Sequence, residues 1–224
     1  MLSFSDFSQR LARGQLKNTS AVDENTSGEI ESNHIDTILS LTNQGLVDLS
    51  TRFALVTRQI DLTFIPGQHI YSFTDDGLGS WLSEEAVEPF LEDDFVRVLD
   101  IWDENGDRHP HDTNGHIMSP TFNRLRFTKA KIQELGEKVR VRYQAKHPGI
   151  DADGDIDIPP NLETALQLFV ASLFISHIGG DEHSAKGDSY MAAYLRHIGE
   201  DEARNLSQTS EIDSDMRFEE RGFV

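Results

Sequence analysis

The sequence predicts an α+β protein, in which a helical bundle carries an inserted antiparallel β-module. Apolar residues recur at helical spacing near both ends of the chain, whereas the middle alternates polar and apolar residues with the period of two typical of β-strands. The expected organisation is an N-terminal helix and polar linker at 1–33, a helical domain formed by 34–58 and 159–205, the β-module at 59–147, and a C-terminal tail at 206–224.

The first part of the chain predicts a short amphipathic helix and then a linker. Apolar residues stand at helical spacing over residues 3–12, and Ser3 or Ser5 can cap the first turn. Residues 16–33 are polar and contain few apolar side chains, so we expect a mobile linker there.

Three longer helices are predicted, at about 34–53, 162–178 and 182–205. The first has a broad apolar stripe and Asn33 as a plausible cap. The last two are separated by a pair of glycines, which is a common helix stop. Together these helices predict the helical domain.

The middle of the chain predicts a β-module of hairpins. Residues 59–64 and 69–73 alternate with period two on either side of a Pro-Gly turn, which indicates a hairpin. A second turn, at Asn105-Gly106, follows an alternating run, and Asn-Gly is the strongest two-residue hairpin signal. Further alternating strands are expected at 95–102, 125–128 and 138–144.

The helix at 162–178 is apolar on nearly every face in its second half. A helix that is apolar all round is usually buried all round. Four helices enclose little volume, so we expect neighbouring copies of the chain to complete its burial. The side chains expected at that interface are Leu166, Phe169, Val170, Leu173 and Phe174.

Charge is segregated along the chain, whose net charge is −19. Residues 75–107 hold twelve acidic residues and one basic residue, whereas residues 121–146 hold eight basic and two acidic residues. Neighbouring strands could satisfy each other's charges across a sheet. Alternatively, the acidic flank of one subunit could meet the basic flank of the next in a head-to-tail ring, with Arg140 and Arg142 at the contact.

Composition excludes several classes of protein. The chain has no cysteine, so disulfide scaffolds, thiolate metal sites and cysteine nucleophiles are excluded. No uninterrupted apolar run approaches the length that spans a bilayer, and we expect no membrane association. With 39 acidic against 20 basic residues, the chain is not expected to bind nucleic acid non-specifically through the phosphate backbone.

A histidine-rich segment is the nearest approach to a metal site. His109, His111 and His116, with Asp112, offer ligands of the kind that zinc prefers. Their spacing is irregular and the segment contains Pro and Gly, so a solvated hairpin connection is the favoured interpretation.

The other chemical motifs are weaker. The acidic run 151–157 resembles a calcium loop, but Ile156 and Leu162 stand where an EF-hand needs Gly and Glu. His177, near the end of an apolar helix, is better explained as a satisfied core or interface histidine than as a base or ligand. The chain also lacks the glycine-rich phosphate-binding patterns G-x-x-x-x-G-K and G-x-G-x-x-G. The G-x-S-x-G pattern that surrounds the nucleophile of many serine hydrolases is absent too. We therefore expect no enzyme activity, no catalytic residues, no bound metal and no cofactor.

The order of the elements carries a resemblance to a known family. The helix ILSLTNQGLVDLSTRF, with NQGL at 43–46 and RF at 52–53, leads into QIDLTFIPGQHIYSF. Much later, DIDIPPNLETALQLFVASLFISH precedes the helix SAKGDSYMAAYLRHI. Over about 34–205 this order resembles the head-to-tail adaptor, or connector, proteins of tailed bacteriophages of the short-tailed type.

The resemblance implies a structural protein of the virion. Twelve copies would form a homododecameric ring that docks on the portal protein, extends the DNA channel and carries tail or nozzle proteins. The ring would be assembled in the host cytoplasm, and genomic DNA would pass through it during ejection without specific binding. The tail at 206–224, with Phe218 and Phe223, would become ordered on docking to the portal or to a neighbour.

Three alternatives remain open at this level. The chain could be another phage structural element, such as a neck, tail-tube or fibre-attachment protein. It could be a metal-dependent enzyme that uses the histidines at 109, 111 and 116. It could also be a binding module unrelated to phages.

Overall fold

The computed structural model describes residues 2–17, 19–22, 28–73, 94–111, 115–121, 123–178 and 181–204. Over these residues the protein is α+β, as predicted, with helices and antiparallel sheets. The helices are α1 (Phe4–Arg13), α2 (Ile35–Arg52), α3 (Lys129–Leu135), α4 (Pro160–Ile178) and α5 (Asp181–Arg204). The strands are β1 (Leu2–Ser3), β2 (Val56–Thr63), β3 (Ile70–Ser72), β4 (Phe95–Trp102), β5 (Arg108–His109), β6 (Ile117–Thr121), β7 (Arg124–Phe127), β8 (Lys138–Ala145) and β9 (Asp155–Ile156).

The starts of the helices follow local chemistry. The hydroxyl of Ser3 accepts the backbone N–H of Asp6 at 3.0 Å, so the predicted cap of α1 is confirmed. The prediction that Asn33 caps α2 is wrong, because His34 holds the cap position and makes no side-chain cap bond. Helix α4 begins at Pro160. Proline lacks a backbone N–H, and at the first helical position no hydrogen bond is lost because an N–H there has no partner within the helix.

Helices α1, α2, α4 and α5 bury one apolar cluster around α4. Glycines allow α2 and α5 each to pack closely against α4. A Cβ on Gly45 of α2 would lie 2.5 Å from the Cδ1 atom of Leu166, and one on Gly187 of α5 would lie 3.0 Å from the carbonyl oxygen of Ser172. Helix α4 is therefore enclosed between α2 and α5 at short range.

Part of α4 is buried within the chain itself, and burial of the remainder by neighbouring copies stays a prediction. Leu166 and Val170 are 0% exposed and Phe174 is 4% exposed, all within the chain's own core. Phe169 and Leu173 are partly buried against the same cluster. By length and composition α4 also passes as a possible membrane span, as the core helix of a soluble protein can.

The predicted mobile linker is wrong for its described part, residues 16–17, 19–22 and 28–33. Leu16 and Ala21 are 0% exposed and belong to the helical core. Val22 forms an isolated antiparallel bridge with Ile30. A few apolar side chains thus anchor a stretch that is polar in composition.

The β-module has two antiparallel sheets, ordered β2-β8-β4-β5 and β3-β7-β6, which share one apolar core. A third, two-stranded sheet pairs β1 with β9. The predicted strands at 125–128 and 138–144 correspond to β7 and β8. Helix α3, which connects them, was not predicted from the sequence.

One of the two predicted hairpins is wrong and one is confirmed. Strands β2 and β3 do not pair, because β2 pairs with β8 and β3 pairs with β7 in the other sheet. The turn between them, where Gly67 has a φ of 83°, crosses from one sheet to the other. Strands β4 and β5 form the hairpin expected around Asn105-Gly106, with Trp102 opposite Arg108 and Gly106 at a φ of 88°.

Polar side chains join the helical half to the β-module. Gln144 of β8 donates to the carbonyl oxygen of Ser50, near the end of α2. The Ser50 hydroxyl in turn accepts the backbone N–H of His147 at 3.1 Å. The amide of Asn43 exchanges two bonds with the backbone of Ile150, at 3.0 and 2.8 Å. We call this group the junction.

Candidate interaction surface

The outer face of the β2-β8-β4-β5 sheet carries the arginines predicted at an interface. Along β8, Val139, Val141 and Tyr143 point into the β-core and are at most 1% exposed. Because side chains alternate along a strand, Arg140 and Arg142 lie on the opposite face.

Both arginines are paired with carboxylates of neighbouring strands. Arg140 donates two bonds to Asp61, at 2.8 and 3.2 Å, and these bonds raise the pKa of Arg140. Arg142 donates two bonds to one oxygen of Asp100, at 2.9 and 2.5 Å, and Asp100 is also bridged by Arg108. The pairing of strands across the sheet, one of the two interpretations of the charge pattern, is therefore found here. A role between subunits stays a prediction, and Arg140 keeps 54% of its side chain exposed.

An aromatic side chain shares this face. The guanidinium carbon of Arg142 lies 5.2 Å from the ring centroid of Trp102, which is within the range of a cation–π interaction. The indole is half-buried at the end of β4. Trp102 was not predicted as a functional residue, although an aromatic side chain just before the Asn-Gly turn is a signal that could have identified it.

A cavity of about 580 Å³ lies beside Trp102. It is open to solvent and is lined by residues of β2, β8 and the β4–β5 hairpin. Its lining residues are Gln59, Asp61, Trp102, Asp103, Glu104, Gly106, Lys138, Val139 and Arg140. Its size is that of sites that hold small molecules.

The helical half presents a second candidate surface. Ile178, at the end of α4, is 37% exposed, and Leu195 of α5 is 50% exposed. Phe169, one of the predicted interface residues, is partly buried and packs edge-on against Tyr194, with ring centroids 5.2 Å apart. The exposure of Leu195, a large apolar side chain, makes it a candidate contact residue.

The structure gives the histidine-rich segment a structural role. The Nε2 atom of His109 lies 3.2 Å from a carboxylate oxygen of Asp103, and its Nδ1 atom lies 3.1 Å from the ammonium of Lys131. Since an ammonium can only donate, Nδ1 accepts and Nε2 donates. Lys131 also donates to Glu134 at 2.5 Å, so these contacts tie the hairpin to α3.

No metal-binding group of three or more His, Asp or Glu side chains was found among the described residues. Asp112 lies outside them. His177 is exposed, and its ring bonds the carbonyl oxygen of Leu173 at 2.7 Å, so it is not a core histidine.

The acidic run 151–157 anchors the N-terminus. Gly154 closes a turn by donating to the carbonyl of Asp151 at 3.0 Å, and its own carbonyl accepts the backbone N–H of Phe4 at 3.0 Å. Strand β9 of this run pairs with β1. Phe218 and Phe223 of the tail lie outside the described residues.

No protein-family model matches the sequence, and no curated protein is significantly similar to it.

Proposed function

We propose that the chain is a virion structural protein that forms a head-to-tail adaptor ring. Twelve copies dock on the portal, extend the DNA channel and carry tail components. The observation that carries this proposal is the order of the elements. Helix α2 leads directly into the β-module, and α4 and α5 then return to pack with α2 around one core.

The helical half suits a rigid ring subunit. Under this proposal α2, α4 and α5 act as a helical bundle, held closely by Gly45 and Gly187, where added methyl groups would clash. The polar junction fixes the β-module to that bundle through bonds to α2. A fixed angle between the two halves supports repeated, identical contacts around a closed ring.

The helical half and the β-module expose side chains of different chemistry. The helical half exposes Leu195 and Ile178, and the sheet exposes the paired Arg140. Different patches on the two sides of a subunit are what a head-to-tail ring requires. The excess of acidic over basic residues, 39 against 20, favours a channel wall that repels phosphate and lets DNA slide.

The mass of the chain in solution, with and without its portal, tests the proposal. We expect a ring on the portal, and Leu195→Asp should weaken that assembly about ten-fold or more because it places a charge in an apolar contact. Ser189→Asp, on an exposed part of the same helix that faces about 120° away from Leu195, is the matched control and should assemble nearly normally. A chain that does not bind portal at any concentration would contradict the proposal.

A further inference from the structure

We propose that the cavity beside Trp102 is a binding site for a neutral oligosaccharide. The site lies on the outer face of the β2-β8-β4-β5 sheet, where β4 turns into the β4–β5 hairpin. All its lining residues belong to one chain, so the site does not rest on the ring proposed above, although Arg140 would serve in both. Three properties point to this ligand class: an aromatic platform, planar polar groups held in place, and a nearly balanced charge.

The aromatic platform is the indole of Trp102. Arg142 covers part of the ring at 5.2 Å and is itself held by Asp100. Trp102 lines the cavity and Arg142 does not, so the indole borders both the guanidinium and the cavity. A sugar ring has an apolar C–H face that packs on such a surface, while its hydroxyls remain free to bond elsewhere.

Planar polar groups surround the platform. The Arg140–Asp61 pair, joined by two bonds, presents a guanidinium and a carboxylate side by side, and Gln59 adds an amide. Asp103 is fixed by the backbone N–H groups of Asn105 and Asp107, both at 2.9 Å from one of its oxygens. Groups that are already held lose little entropy on binding, which favours affinity.

The charge of the lining argues against ionic ligands. Lys138 and Arg140 face three carboxylates, those of Asp61, Asp103 and Glu104. A phosphate or nucleotide would meet those carboxylates, and a cation would meet the two basic groups. An uncharged ligand that is rich in hydroxyls can use both kinds of group as hydrogen-bond partners.

Tryptophan fluorescence tests the proposal directly, because the chain has two tryptophans and Trp81→Phe leaves Trp102 as the sole emitter. This variant would be titrated with maltotriose, cellotriose, N-acetylchitotriose and inorganic phosphate, each up to about 20 mM. We expect saturable quenching or a spectral shift with at least one saccharide and none with phosphate. The proposal is overturned if no saccharide gives a saturable signal or if phosphate alone does.

A second measurement separates this site from binding elsewhere. Saccharide binding would be followed by ligand-observed NMR for the full chain, for Trp102→Ala and for Trp102→Phe, each checked for folding by circular dichroism. We expect Trp102→Ala to weaken binding about ten-fold or more, whereas Trp102→Phe, which keeps an aromatic face, retains most of it. Equal affinity in the folded Trp102→Ala variant and the unaltered chain would overturn the proposal.

Discussion

At the scale of single residues, His147 shows how the junction depends on a neutral imidazole. Its side chain is buried, and its Nδ1 atom accepts the backbone N–H of Gly149 at 3.1 Å. Burial lowers the pKa of His147 from the ordinary value, and the charge of Asp157 only partly opposes this. This role could not be predicted from the sequence, because burial of a loop histidine depends on where the helical half and the β-module meet.

The lowered pKa of His147 predicts a pH-dependent stability. The unfolded chain binds a proton at this histidine more readily than the folded chain does, so stability rises with pH in that range. The free energy of unfolding should therefore be highest above about pH 6.5 and should fall as the pH drops below it. Urea unfolding between about pH 5 and 8 measures this.

The variant His147→Asn keeps an acceptor near the position of Nδ1 but does not titrate. We expect its stability to depend less on pH over the same range than that of the unaltered chain. If the two proteins show the same pH dependence, His147 does not carry the effect.

At the scale of elements, helix packing depends on the absence of a side chain at Gly45. A methyl group there would lie 2.5 Å from Cδ1 of Leu166 and 3.0 Å from Cδ1 of Phe169. Overpacking of this kind costs about 1–3 kcal/mol and opposes the gain of about 1 kcal/mol in helix propensity. We expect Gly45→Ala to lower the midpoint of urea unfolding.

Gly199 of α5 provides the matched control, since nothing lies within 4 Å of a Cβ added there. Gly199→Ala should stabilise the protein by about 0.5–1 kcal/mol through helix propensity alone. If Gly45→Ala and Gly199→Ala stabilise the chain equally, α2 and α4 do not pack as closely at Gly45 as in the structure.

The sequence predicted some elements well and others poorly, for physical reasons. Helices α2, α4 and α5 were predicted to within a few residues, because long apolar patterns of helical period are specific. The hairpin of β2 and β3 was wrong because a period of two identifies the buried face of a strand and not its partner. Helix α3 has only seven residues, too few for a clear period.

At the scale of the whole molecule, the candidate surfaces could be predicted only in part. Arg140 and Arg142 were identified from charge, but their partners Asp61 and Asp100 follow from strand order, which the sequence did not reveal. Of the interface residues predicted on α4, Leu166, Val170 and Phe174 are buried in the chain's own core. Phe169 and Leu173 are only partly buried, and their role between subunits stays a prediction. The cavity beside Trp102 is formed by three segments that are distant in the sequence, so no local sequence pattern predicts it.

The C-terminal tail at 206–224 is predicted to be needed for portal binding but not for folding. Deleting residues 206–224 should leave the thermal unfolding midpoint and the circular dichroism spectrum nearly unchanged, because the part of the chain that the structure describes already forms two apolar cores. Portal binding, measured by co-sedimentation, should be lost. Normal portal binding by the truncated chain would assign the tail another role.

The copy number of this chain in purified virions tests the central claim most directly. Quantitative mass spectrometry with isotope-labelled standards would give its abundance relative to the portal protein of the same particles. An adaptor ring predicts about one copy of this chain for each copy of the portal, since both rings share one axis. Absence of the chain from virions, or a copy number far below that of the portal, would contradict the account.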